Sequence, residues 1–272
     1  MLPAAVALAI LLFIPLSLVA DQSLRQFTPG YAGARPGAPF TWQNYGELLT
    51  PSYFRYFLDT FRIGAEASLI ALALSFPIAY RVARESREGV RRLWIGFLIA
   101  MLFLSILVRV YAIDLAFGPS GFGRTLAGLM GLGLNSTSYA EVTIILALIH
   151  CLIPLATLSL IAPLQNLNPR YIEAAEALGA PRWRAHASIT IPLSLRGLLA
   201  AFMLSFTFCI SAFVIPMVLG KGRILFVSNL VYSRFGEVAN YPGGAAMAIL
   251  VLLISLCVVY LVTRLSAARW ES

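Results

Sequence analysis

Apolar runs with little or no charge, long enough to cross a hydrocarbon layer, recur along the chain, separated by stretches that carry nearly all of the charge. The first, residues 2–20, holds no ionisable side chain; as a helix rising 1.5 Å per residue it spans about 30 Å. Further runs at about 61–80, 93–108 with a continuation towards Ala116, 142–162, 197–219 and 244–263 bring the number to six. The pattern predicts an all-α polytopic membrane protein, six transmembrane helices in a single domain covering residues 1–272. A cleaved signal peptide competes for the first run, because Leu18-Val19-Ala20 precedes Asp21. The missing basic n-region and the long apolar core favour a retained span.

The segments between the runs read as loops. Residues 21–62 are rich in Pro, Gly and aromatics and predict an extramembrane stretch with one short helix near Trp42–Leu49. Arg109 is expected to snorkel to an interface, Gly118-Pro119-Ser120-Gly121 to end the third span, and Pro216 to interrupt the fifth. The G-x-G pieces at Gly121/Gly123 and Gly131/Gly133 follow no predicted strand and read as turns.

One loop differs from all the others. Residues 163–196 contain NPRYIEAAEALGAPRWRAHASITIP, Asn168 to Pro192, the longest charged amphipathic stretch in the chain. Asn168 suits an N-cap and Pro169 a first helical position; Ala174, Ala175, Ala177 and Leu178 propagate, and Gly179 can turn left-handed at the end. Pro181 is expected to start a second short helix carrying Arg182, Trp183, Arg184 and His186, and Pro192 to break the chain before the next span.

Composition sharpens the class. With 272 residues, 60% hydrophobic, 12% charged and a mean hydropathy of +0.84, the chain has more apolar surface than a soluble fold uses. The net charge of +8 sits in short loops beside apolar runs, so the partner it implies is the anionic face of a lipid bilayer and no nucleic acid. Loops 81–92, 163–196 and the tail from Arg264, which includes Arg269, hold eleven Arg, against eight Lys plus Arg in the opposite, longer loops. That bias places both termini and the 163–196 loop in the cytoplasm. Cys151, Cys209 and Cys257 each lie inside an apolar run and read as small buried hydrophobes.

The run Glu173-Ala174-Ala175, then Gly179, then Ile189-x-Ile191-Pro192 closely resembles the cytoplasmic signature loop of ABC importer permeases, with Ile191 replacing a usual Leu. The IAYRVAR, RVYA, LIPLATLSLIAPLQNLNP and FVIPMVLG stretches are similar to the polyamine (spermidine/putrescine) branch of that family. The resemblance implies a bacterial inner-membrane permease that passes a small solute, best a polyamine, from periplasm to cytoplasm. It also implies the partners: a second permease subunit, a periplasmic solute-binding protein, and an ATPase subunit dimer that carries ATP and Mg²⁺. The 163–196 loop would be a coupling loop on that ATPase, with Glu173, Ala174, Ala175, Gly179 and Pro192 as its docking residues. An importer of an amino-acid derivative, an opine-like compound, thiamine or ferric ion fits the same resemblance.

Independent chemistry agrees. Gly220-Lys221-Gly222 has neither the spacing nor the hydroxyl of a phosphate loop, so no ATP or metal cofactor is expected in this chain. The only histidines, His150 and His186, lie far apart with no nucleophile motif, which leaves an intramembrane enzyme a poor alternative. Glu66 and Asp114, at the outer ends of spans two and three, are candidate pathway acids for a cationic solute, or halves of internal pairs, Glu66 with Arg62 and Asp114 with Arg109 or another interfacial base. Ser205, Thr207, Ser211 and Pro216 complete the candidate pathway set on span five, unless the hydroxyls back-bond to their own helix.

Overall fold

The computed structural model describes residues 2–31 and 33–268, and among them the chain is helical with no strand beyond an isolated bridge between Arg25 and Phe40. The helices run α1 (Leu2–Ser23), α2 (Gln43–Leu48), α3 (Pro51–Ala83), α4 (Glu88–Phe103), α5 (Ile106–Phe117), α6 (Gly123–Leu129) and α7 (Thr137–Gln165). After α8 (Arg170–Ala177) and α9 (Arg182–Ala185) comes a π turn, His186–Thr190, followed by α10 (Ile191–Leu193), α11 (Leu195–Ile210), α12 (Val214–Leu219), α13 (Val227–Gly236) and α14 (Tyr241–Ala268). Four helices are long and apolar enough to cross a membrane singly: α1, α3, α7 and α14. Among the described residues the number rises to at most six when α4 with α5, bent by 87°, and the 182–193 segment with α11, bent by 75°, each count as one; the second pair starts at Arg182, within the 163–196 loop, whereas the sequence placed a fifth span only from residue 197.

The chain packs as two compact units, residues 1–61 with 224–258, and 62–223 with 259–272. In the first, Leu48, Phe57, Val227, Ala246 and Met247 form the buried cluster. The end of α1 is tied down by polar contacts: Asn44 Nδ2 donates to the carbonyls of Ser23 and Arg25 at 2.9 Å each, and the Ser23 and Tyr45 hydroxyls meet at 2.7 Å. These bonds satisfy carbonyls that a helix end leaves without intrahelical partners. The Val227 N–H at the start of α13 finds Thr60 Oγ1 at 3.0 Å.

The second unit is built on α7, whose Ile144, Leu148, Leu152, Leu160 and Leu164 are fully buried. Around its C-terminal half Ala79, Val82, Ala83, Leu98, Ile161 and Ala201 close a continuous apolar cluster. Small residues let helices approach closely in this unit: a Cβ on Gly64 would sit 3.3 Å from that of Cys209, and Ser68 Oγ bonds back to the Gly64 carbonyl at 2.7 Å.

Several sequence expectations change here. The second span begins at Pro51, ten residues before the apolar run at Phe61, because Arg55, Asp59 and Arg62 lie on a helical turn that hydropathy reads as loop. The third span does not run straight: Leu104 and Ser105 adopt extended dihedrals (ψ 128° and 132°) and the chain turns between α4 and α5. That turn carries Arg109 inward, so it is 5% exposed and does not snorkel. In the fifth span α11 stops at Ile210 and the irregular stretch is Ser211–Phe213, whereas Pro216 sits in the first turn of α12, where its missing N–H costs nothing. Pro192 likewise lies inside α10, and the break falls at Ser194. Cys151 and Cys209 are buried as expected, but Cys257 is exposed on α14. Arg269 lies outside the described residues.

Candidate functional site

The 163–196 loop folds as its sequence directs. Asn168 Oδ1 accepts the Arg170 N–H at 3.0 Å, so it caps α8 from one position further out than an ordinary N-cap, and Pro169 already has helical dihedrals (φ −61°, ψ −26°). Gly179 closes the helix with φ +84°. Its N–H bonds to the Glu176 carbonyl at 2.9 Å and the next N–H, of Ala180, reaches back to Ala175 at 3.0 Å. That pair of bonds is the Schellman arrangement, which needs a left-handed residue at the position Gly179 occupies.

The loop then offers its surface outward. No residue of α8 is buried, and Leu178, just past its end, is 89% exposed. Glu173 and Ala174 are exposed and Ala175 half-buried, and Glu173 has no ion-pair partner among the described residues. Glu176, by contrast, pairs with Arg182 at 3.1 Å, which joins the helix to the α9 segment. Trp183 is 66% exposed with the Arg184 guanidinium over its ring. In the separate connection between α3 and α4, the backbone N–H of Arg87 holds the Glu85 carboxyl below the usual carboxylate range, with Arg81 adding to it.

The two membrane-end acids are both paired. Glu66 accepts from Arg62 at 3.2 Å, as the i, i+4 spacing predicts, but Arg62 makes its shorter contact, 2.7 Å, with Glu141. Asp114 meets Lys221 at 3.0 Å, and Arg109 is not its partner. Tyr139, whose hydroxyl donates to the Phe117 carbonyl at 2.7 Å, lines the same pocket as Asp114, Lys221 and Arg223. On its other side Asp114 opens onto a second pocket of about 360 Å³ with Tyr111, Leu115, Gly118, Pro119 and Ser120.

Residues 68–271 match the family described as the binding-protein-dependent transport system inner membrane component. The chain belongs to this family. Among its relatives, the permease is 28% identical over 219 residues to the spermidine/putrescine transport system permease protein PotB of Escherichia coli K12, covering 79% of this chain and 78% of that one. PotB of Salmonella typhimurium LT2 is 27% identical over the same length. The molybdenum transport system permease protein ModB of Haemophilus influenzae is 30% identical over 181 residues, 66% of this chain and 72% of ModB. Among solved structures, a chain of the bacterial alginate ABC transporter in complex with alginate pentasaccharide-bound periplasmic protein superposes with a TM-score of 0.74. At 16% identity over 97% of this chain and 91% of that one, the likeness speaks to the fold. The molecule is the permease subunit of an ABC importer.

The candidate residues of span five point different ways in this permease. Ser205 is fully buried and its hydroxyl has no hydrogen-bond partner, Thr207 is exposed, and Ser211 is exposed with its hydroxyl donating to the Thr207 and Phe208 carbonyls at 3.0 Å each. Ser211 thus follows the back-bonding alternative. Ser211, Ala212 and Phe213 line a pocket of about 220 Å³ with Ile106 and Phe208. Sequence reasoning missed the roles of three charged groups, Glu141, Lys221 and Arg84, and misplaced a fourth, the buried Arg109, which lies against Cys151 and near His150. Their partners are 79 or more positions away for Glu141 and Arg84, so no local spacing signals them. Among the described residues no cluster of His, Cys, Asp and Glu is suited to hold a metal ion.

Proposed function

We propose that this permease imports a polyamine, spermidine or putrescine, and that α8 with its Gly179 turn docks into a groove on a separate ATPase subunit. The observation that carries the docking half is the exposed α8 face, with Glu173 unpaired among the described residues and Leu178 open, set by a turn only glycine forms easily. The solute half draws on the relation to PotB over 79% of the chain and on the stretches noted above. In this reading two ATPase subunits hydrolyse ATP, a second permease completes the pathway, and a periplasmic binding protein delivers the solute. Both termini face the cytoplasm, following the Arg distribution. The docking set is Glu173, Ala174, Ala175 and Gly179, with Pro192 on the loop's exit. The pathway set is Glu66, Asp114, Thr207, Ser211 and Pro216; Ser205, fully buried in α11, falls outside it.

A second reading, import of a small solute that is not a cation, has its own support: Glu66 and Asp114 already hold internal cations, and the buried Arg109 brings a positive charge into the bundle. The two readings separate in one experiment. The binding protein encoded with this permease is purified and its bound solute identified by mass spectrometry, while the tagged permease is tested for co-purification of an ATPase. A di- or triamine and a bound ATPase support the proposal; an anion or a neutral solute overturns its solute half, and a permease that never captures an ATPase overturns the docking half.

A further inference from the structure

Arg84 stands where α3 ends, between the entrance and the exit of the coupling loop. Its Nη2 donates to the Leu167 carbonyl at 2.7 Å, just past the end of α7, where a cation also meets the negative pole of that helix. The same side chain borders a gap of about 10 Å³, room for one water at most, together with Asn168, Tyr171 and Ile172 from the entrance and Ile189, Thr190 and Leu193 from the exit. Its Nε is buried. The guanidinium lies 5.6 Å from the centre of the Tyr80 ring, one turn back on α3.

Tyr80 reaches the loop independently. His186 packs its ring edge-to-face against Tyr80 at 4.7 Å and its Nδ1 meets Thr190 Oγ1 at 3.1 Å. Both partners belong to the π turn, an insertion that widens a helix locally and turns side chains out of α-helical register. Ser194 Oγ then bonds to the Thr190 carbonyl at 2.7 Å, at the residue where the chain bends by 75° into α11. Val82 and Ala83, between Tyr80 and Arg84, are buried in the cluster shared with α4, α7 and α11. The helix that supports the two residues is therefore fixed in the bundle, while the loop it touches is open to the outside.

Resting on the docking reading above, we propose that Arg84, seated on Tyr80, is a positioning residue for transport: it ties the attitude of the coupling loop to α3, so that a push on α8 reaches the membrane bundle as a rigid displacement. Hydrogen bonding and packing at both ends of the loop give it two points of grip, which a single hydrogen bond does not. Lysine lacks the planar fork that both donates to Leu167 and lies over a ring.

The test uses the full-length permease in lipid nanodiscs, spin-labelled at Arg87→Cys and Ala177→Cys on a background without Cys151, Cys209 and Cys257, and the assembled complex with its ATPase and binding protein. The labelled chain is expected to give one narrow distance distribution. R84A and Tyr80→Ala should broaden it, R84K should not restore it, and Tyr80→Phe, which keeps the ring, should match the unsubstituted chain. In the complex, R84A should still co-purify with the ATPase and hydrolyse ATP at the basal rate, with stimulation by the loaded binding protein reduced about threefold or more. A distribution unchanged in both R84A and Tyr80→Ala, or full stimulation in R84A, overturns the proposal. Loss of ATPase co-purification in Glu173→Lys and Gly179→Asp tests the docking reading separately, whatever the Arg84 variants do.

Discussion

Gly197 lies so close to Pro163 that a Cβ on the glycine would sit 2.6 Å from the proline Cβ and 2.7 Å from its Cγ. The contact joins the first turn of α11 to the last turn of α7, the two helices that carry the chain into and out of the 163–196 loop. Neither a rigid pyrrolidine ring nor a helix backbone yields easily. Gly197→Val should therefore destabilise the permease by about 1–3 kcal/mol through overpacking. The check is the apparent melting temperature in detergent, and a variant as stable as the parent would show that the helices separate freely here.

Gly179 separates conformation from contact. Nothing lies within 4 Å of where its Cβ would be, so only the left-handed backbone resists substitution. Gly179→Ala is expected to cost about 1 kcal/mol and to reduce, not abolish, transport. Gly179→Asp adds a charge on the docking face and should abolish transport while the protein still reaches the membrane. Equal transport in both variants would remove the turn from the docking mechanism.

For the membrane-end acids, removal of charge should act on uptake more than on folding. The Asp114–Lys221 and Glu66–Arg62 pairs are part-exposed, and such pairs contribute about 0–1 kcal/mol. Asp114→Asn and Glu66→Gln should therefore keep their melting temperatures and raise the KM for putrescine. Unchanged KM in both would leave these residues as cross-links only.

Single cysteines on a background without Cys151, Cys209 and Cys257 distinguish the hydroxyls of α11. A cysteine at Ser205, which is fully buried, should stay unreactive to a water-soluble thiol reagent in every state of the cycle. Cysteines at Thr207 and Ser211 should react in a cycle-dependent way. Uniform silence at both positions would take this helix out of the pathway.

The helical class, the approximate spans and the local fold of the 163–196 loop were legible from residue order because each rests on local rules: apolar length, an Asn-Pro start and a glycine stop. What stayed hidden depends on distant partners. The Leu104–Ser105 turn has neither proline nor glycine to announce it, and its consequence, the burial of Arg109, reverses what an isolated arginine near a span end suggests. Pro192 and Pro216 misled in the opposite direction, since both occupy early positions of short helices and the true breaks are at Ser194 and Ser211–Phe213. α3 extends to Pro51 through Arg55, Asp59 and Arg62, a charged start that only the folded chain identifies as helix.

The most direct measurement is uptake of labelled putrescine and spermidine into proteoliposomes holding the complete complex, with ATP present or absent at the ATPase side, for the unsubstituted permease and for Glu173→Lys. ATP-dependent uptake of at least one of the two amines is expected, lost in Glu173→Lys although the permease is inserted in equal amount. No amine uptake by the unsubstituted complex would overturn polyamine import, and uptake by Glu173→Lys equal to the parent would overturn docking through α8.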